Sequence, residues 1–219
     1  MASHVLVALA VGTLAFGASA AEDPHHLLCR LLLHEDQRER DDLQLELTLA
    51  RSTLAAHEEI FVLYDGLWKI QGIERLVYLR GKHDRDLAQI EVERVRLLVE
   101  RTDAYLAQYR TYCDALSAGA RPSEAQAGSI GRAWSRYLSA ECDALDQQRN
   151  AAEVDLAYER EVLASVLELR AGEVATRPQV ILAELDVRTA EERSSDARAR
   201  VERCRGKAPA APAPSPPAG

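Results

Sequence analysis

The chain has 219 residues, of which 47% are hydrophobic and 5% aromatic, and its formal net charge is −8. This charge argues against a nucleic-acid partner, because a phosphate-binding surface needs clustered lysines and arginines. The composition is rich in Ala, Leu, Glu and Arg with only two Phe residues, which is typical of long helices rather than of a sheet protein.

Residues 1–20 differ in composition from the rest of the chain. Val5 to Phe16 contains no acidic or basic residue, and residues 18–20 (Ala-Ser-Ala) form a small-x-small cleavage site. The pattern predicts a signal peptide, hence a periplasmic or secreted protein without an integral membrane span after cleavage. The alternative is an uncleaved anchor, but the apolar run is shorter than the roughly 20 residues that cross a bilayer.

Residues 21–116 are predicted to form a first helical hairpin. Pro24 follows a capping Asp and suits a first helical turn, and Gly72 is expected to break the helix so that a second arm returns from about Glu74 to Leu116. Apolar residues recur in both arms at the 3.5-residue average of a coiled-coil seam. The first-arm seam is Cys29, Leu33, Asp36, Arg40, Leu43, Leu47, Ala50, Leu54, His57, Phe61, Tyr64 and Trp68. The second-arm seam is Ala88, Val92, Val95, Val99, Thr102, Leu106, Tyr109 and Cys113.

A connector and a second hairpin follow. Four residues, Gly119, Pro122, Gly128 and Gly131, place the connector at 117–131. The second hairpin is predicted at 132–205, with its return arm opening at a capping box of Thr176 and Gln179. Its return seam is Val180, Ala183, Val187, Ala190, Ser194, Ala197, Val201 and Cys204. Residues 206–219 are proline- and alanine-rich and are expected to be a disordered tail.

The four cysteines lie at the far ends of the arms. The midpoint between Cys29 and Cys113 is residue 71, beside Gly72, and the midpoint between Cys142 and Cys204 is residue 173, beside Gly172. Four cysteines allow three connectivities, and this symmetry favours Cys29–Cys113 and Cys142–Cys204. The predicted fold is therefore all-α: two long antiparallel hairpins, each stapled by a disulfide, either laid together as a four-helix bundle or left as separate rods.

The tip of the first hairpin is the candidate docking site. An aromatic residue with aliphatic neighbours at a turn that ought to be wet is typical of a contact surface. The alternative is that these side chains cap the hairpin's own core. The candidate residues are Leu67, Trp68, Ile70, Ile73 and Leu76.

No catalytic residue, cofactor site or metal site is predicted. The chain contains no nucleophile elbow, phosphate loop or zinc-protease motif. His25, His26 and Cys29 lie about one helical turn apart, which is compatible with a metal site. The favoured alternative is that Cys29 forms a disulfide and the two histidines are solvated. The carboxylates lie on helix surfaces that offer no pocket to raise their pKa values, so we do not expect an enzyme.

Two segments carry a resemblance to a known family. The stretch from Gly172 to Ala197, with residues 185–187 (Leu-Asp-Val) and Ala190 along the return helix, resembles the periplasmic helical hairpins of TolC-like outer-membrane efflux proteins. Residues 71–75, with Tyr78 and Ala88, are similar to the hairpin tip of the periplasmic adaptors that work with them. The similarity covers most of 40–110 and 155–204, and the chain departs from it by carrying a cysteine at each arm end.

The resemblance implies a role in the cell envelope. The expected function is a non-catalytic exported scaffold or interaction protein, whose partner is an envelope protein or a second copy of the chain. The alternative is a soluble periplasmic binder of apolar ligands or unfolded chains, held between the hairpins.

Overall fold

The computed structural model describes residues 24–118 and 123–207, and it includes their side chains except those of residues 24–28, 127 and 207. Four helices make up these ranges: α1 Pro24–Lys69, α2 Arg75–Ser117, α3 Glu124–Ala171 and α4 Arg177–Lys207. The predicted all-α class is confirmed. The predicted signal peptide at 1–20 and residues 208–219 of the predicted tail lie outside the described residues.

Both predicted disulfides are present. The Cα atoms of Cys29 and Cys113 are 5.7 Å apart and those of Cys142 and Cys204 are 5.6 Å apart, within the usual range for a bridge. Each staple joins the two helices of one hairpin, α1 to α2 and α3 to α4, and the first 18 residues of α3 extend beyond its staple. The predicted connectivity of two stapled hairpins is therefore confirmed.

The predicted seams face the partner helices. The core of the first hairpin is formed by Leu43 and Leu47 of α1 against Val95 and Val99 of α2. Smaller buried residues line the second hairpin at the corresponding places, among them Ala183, Ala190, Ser165 and Ser194. Apolar burial of this kind contributes about 25 cal/mol per Å², so the 3.5-residue spacing read from the sequence also locates most of the stabilisation.

The two hairpins lie side by side, because α2 packs against α3 as well as against α1, and α4 packs against α3. Within the described residues α1 and α4 do not pack against each other, so the four helices form an open row with α1 and α4 at its edges. An ion pair of Arg75 Nη1 with Glu168 Oε2 at 3.1 Å joins the start of α2 to the end of α3. Both hairpin tips consequently lie at one end of the molecule. The Cys29–Cys113 disulfide lies towards the other end, and the Cys142–Cys204 disulfide lies further in, 18 residues after the start of α3.

Helix α3 begins earlier than the sequence indicated. Residues 117–131 were predicted as a connector, but α3 starts at Glu124 and contains Gly128 and Gly131. Ser123 forms a capping box there: its side chain accepts from the Gln126 backbone N–H, and the Gln126 side chain accepts from the Ser123 backbone N–H. This cap and the packing on α2 outweigh the cost of two helical glycines, about 1 kcal/mol each. At its C-terminal end α4 continues to Lys207, so residues 206 and 207 are helical rather than part of the tail.

Both tips turn at the residue on the cysteine midpoint rather than at the adjacent glycine. Gln71 has φ 57° and Glu173 has φ 59°. In the first tip the N–H of Gly72 donates to the Leu67 carbonyl at 2.8 Å and that of Gln71 donates to the Trp68 carbonyl at 2.9 Å. This is the Schellman arrangement, which normally places glycine at the left-handed position. Gly72 is needed for another reason, since a Cβ there would lie 3.3 Å from the Leu67 carbonyl oxygen.

We expect reduction of both disulfides to lower stability while the helices remain formed at room temperature. The Cys29–Cys113 bridge closes a loop of 84 residues, which the chain-entropy model values at about 4–5 kcal/mol. The seams do not depend on the bridges, so far-UV circular dichroism should change little and the melting midpoint should fall. A variant with all four cysteines replaced by serine is the control for the reductant itself. Loss of helicity on reduction would mean that the seams are insufficient.

We expect Gly81→Ala to destabilise the protein by about 1–2 kcal/mol. Gly81 is buried in α2, and an added Cβ would overlap the Tyr64 ring of α1, so the ring must move at a cost of about 1–3 kcal/mol, partly offset by alanine's better helix propensity. Gly66→Ala is the matched control, because a Cβ at Gly66 meets nothing within 4 Å. That variant should gain stability in chemical unfolding, and a similar gain for Gly81→Ala would contradict the packing.

Candidate functional site

The predicted docking residues at the first tip divide into two groups. Leu67, Trp68 and Ile70 are exposed at 40%, 37% and 74%, respectively, whereas Ile73 and Leu76 are half-buried. The exposed group comes from the last turns of α1, and the half-buried pair lies where the chain enters α2. Of the predicted docking residues, the exposed ones therefore come from the end of α1 and the residue that follows it, and Val77 of α2 adds a further exposed apolar side chain.

Trp68 is both a structural and an exposed residue. Its ring stacks on that of Tyr78 in α2, with centroids 5.4 Å apart, and Tyr78 in turn contacts Phe61 at 5.8 Å. Arg85 lies over the other side of this group, with its guanidinium carbon 4.0 Å from the Phe61 ring centroid. One face of the indole therefore supports the hairpin and the rest remains accessible. The sequence left two alternatives open, and Trp68 has features of both. Its stacking on Tyr78 fits a cap of the hairpin's own core, and its exposed surface fits a docking site.

An apolar stripe on α1 was missed in the sequence. Five of its residues each follow a seam residue by two positions, which is about 200° around a helix and so on the opposite side from α2. We call it the α1 stripe; its members are Leu45, Leu49, Ala56, Ile60, Leu63, Leu67 and Ile70, all of them exposed. The sequence contains this stripe as a second set of apolar residues in the same helix, which repeats at the same 3.5-residue average as the seam.

The second hairpin adds exposed apolar residues at the same end of the molecule. Val174 in the turn is 71% exposed, and the nearby turns of α3 and α4 contribute others. They are Leu167, Leu169, Ile181, Leu182 and Leu185. The second tip was not singled out from the sequence, because nothing local in the chain shows that the two tips lie together.

The junction between the hairpins contains the most buried polar contacts. His83 of α2 lies with Nε2 2.7 Å from Asp155 Oδ1 of α3 and Nδ1 3.5 Å from Asp84 Oδ1, and its ring stacks on Tyr158 at 4.2 Å. Nearer the disulfides, Arg101 lies over the Tyr137 ring at 3.9 Å. Charged side chains that are paired across a helix interface fix its register.

An acidic group in the first seam has a shifted pKa. Burial, followed by repulsion from Glu39 and Glu35, raises the pKa of Asp36 to about 6 from its ordinary 3.8. The same region holds Tyr105, whose pKa burial and the nearby Asp36 raise to about 12. Asp36 occupies a seam position, so its carboxylate is partly buried when it ionises. This lowers the stability of the folded protein at neutral pH.

The predicted metal alternative has no structural basis at Cys29, since its sulfur is in a disulfide; the side chains of His25 and His26 lie outside those described. Among the described residues no group of three His, Cys, Asp or Glu side chains is arranged to hold a metal ion. None of the described helices has an apolar stretch long enough to cross a membrane.

We expect Asp36→Asn to stabilise the protein at pH 7.5 and to have little effect below about pH 4. A carboxyl whose folded pKa is raised disfavours folding once it ionises, so the gain should appear as pH rises from about 4 to 6. Because Asp36 is only partly buried, solvent screens its charge and we expect about 1 kcal/mol at most. Chemical unfolding at several pH values measures it. Asp42→Asn, at an exposed position of the same helix, is the control for net charge, and an equal gain in both variants would contradict the assignment.

Comparisons of the chain with known protein families, with curated proteins and with solved structures found no match.

Proposed function

We propose that this protein is a non-catalytic, exported scaffold or interaction protein of the cell envelope, which binds a protein partner through the end that carries both hairpin tips. The observation that carries the proposal is the uneven distribution of exposed apolar side chains. Most of them lie on the α1 stripe and around the two tips, while both disulfides lie away from the tips.

The α1 stripe has the form of a helix-binding surface. It extends from Leu45 to Ile70, about 38 Å at 1.5 Å per residue, and its spacing of three and four residues is that of a coiled-coil seam. The helix packs against α2 alone within the described residues, so the stripe has no partner in the fold. An amphipathic helix of the partner is the occupant that such a repeat fits.

The proposed compartment rests on the disulfides and on the resemblance. Structural disulfides persist in oxidising compartments, and all four cysteines are bridged. The resemblance to TolC-like hairpins supports the periplasm in particular.

A second candidate function is a binder of apolar ligands held between the hairpins. One observation favours it: a groove of about 540 Å³ lies between α2 and α3, on the side of the molecule near the disulfides. Its volume falls in the usual range for small-ligand sites, about 300–1,000 Å³.

We expect Trp68→Ala to weaken partner binding by about 2 kcal/mol or more, the range of a hot-spot aromatic, which is about thirty-fold in Kd. The loss of stability should be nearer 1 kcal/mol than the 3–5 kcal/mol of a fully buried aromatic, because the ring is 37% exposed and its contact is the Tyr78 stack. A photo-crosslinker at Ile70 identifies the partner in the cell envelope, and binding of the purified pair then gives Kd.

The matched control for that variant is Trp134→Ala. Trp134 is also partly exposed, at 46%, but lies on α3 near the disulfide end. It should leave partner binding unchanged. A large fall in melting temperature for Trp68→Ala with binding intact would reduce the tip to a structural role. Cross-linking of Ile70 only to a second copy, with a dimer in sedimentation, would replace the separate partner with self-association.

A further inference from the structure

The groove between α2 and α3 has an unusual lining for this chain. It forms where α2 around Arg101 faces α3 around Arg136, and it has a volume of about 540 Å³. Much of its wall is made of small apolar side chains, which leave the space open. These are Ala104, Ala107, Ala133 and Ala140.

Arg101 is the most buried charge in the groove. Its side chain is only 8% exposed, and the nearest carboxylate oxygen, Glu39 Oε1, is 3.7 Å away. One Nη2–H donates to the Tyr137 hydroxyl at 2.9 Å, but Nε is buried without a hydrogen-bond partner among the described residues. Burying a guanidinium with incomplete pairing is costly. Arg101 is ion-paired with Glu39 only at this longer distance, and its Nε is left unsatisfied.

Two further arginines line the same groove from α3. Arg132 and Arg136 are four residues apart, so they lie on one face of the helix, and both are exposed. Neither makes an ion pair or hydrogen bond with another described residue. The carboxylate that lines the groove, Glu100, is already paired with Arg96. Arg132 and Arg136 therefore bring two unpaired positive charges to this groove, in a chain whose net charge is −8.

We propose that this groove binds an amphiphilic anion, with its carboxylate at the three arginines and its alkyl chain along the alanine wall and the Tyr137 ring. Guanidinium groups bind carboxylates through charge-assisted, often bidentate, hydrogen bonds. The alanine wall offers apolar contact but no hydrogen bond, so it favours an alkyl chain over a sugar or a peptide backbone. The inference is independent of the docking proposal, because the groove lies towards the disulfide end and not at the tips.

Calorimetric titration of the oxidised full chain with dodecanoate, below its micelle concentration, tests the proposal. We expect saturable one-site binding. Dodecanol, which has the same chain without the charge, and acetate, which has the charge without the chain, should each bind at least ten-fold more weakly. Location is reported by Trp134, which stacks on Tyr137 at 5.1 Å, in a Trp68→Phe background where it is the remaining tryptophan.

Substitutions separate this site from general attraction to a basic surface. Arg132→Ala and Arg136→Ala are both at exposed positions and should fold normally, and each should weaken dodecanoate binding about ten-fold or more. Arg203→Ala, an exposed arginine of α4, is the matched control and should leave binding unchanged. Circular dichroism checks the fold of every variant.

Several results would overturn the proposal. Absence of saturable dodecanoate binding would remove the site. Dodecanol binding as tightly as dodecanoate would remove the role of the arginines, and acetate binding as tightly would remove that of the apolar wall. An effect of Arg203→Ala equal to that of Arg136→Ala would show that dodecanoate binding depends only on the net charge of the protein.

Discussion

The packing of α2 against α3 is the contact on which the rest of the molecule depends. It turns two separate hairpins into one row of helices, and its specific contacts include polar pairs as well as aromatic stacking. His83 lies between Asp84 and Asp155, and Arg75 pairs with Glu168. A one-turn slip of α3 would separate these pairs while leaving the apolar area similar, so the charges select the register. That register places the two tips together and opens the groove.

The two ends of the row differ in how they are held. In the half away from the tips the disulfides join α1 to α2 and α3 to α4, and the aromatic contacts of Tyr105 with Trp134 and Tyr137 join α2 to α3. At the other end the turns are tight but the side chains beyond them are uncovered, as at Ile70 and Val174. Rigid support below an exposed apolar surface reduces the entropy lost when a partner binds.

The α1 stripe shows why the row stays open. A closed four-helix bundle would bring α1 and α4 together and cover apolar surface on both. The outer face of α4 is apolar only near the tip, at Ile181 and Leu185, and becomes charged further along at Arg188 and Glu192. The two outer faces therefore do not match over their length, and burying those charges against leucines would cost several kcal/mol.

The sequence by itself determined the two hairpins, and the tertiary structure decided which of their surfaces are brought together and which are exposed. Seam spacing and cysteine symmetry are periodic properties of the chain, so Cys29–Cys113 and the Leu43 to Val99 core could be read directly. The start of α3 could not, because two glycines suggested a loop and the Ser123 cap outweighed them. The joined tips and the arginine groove depend on the α2–α3 register, which is set by contacts between residues as distant in sequence as His83 and Asp155 and so leaves no local pattern.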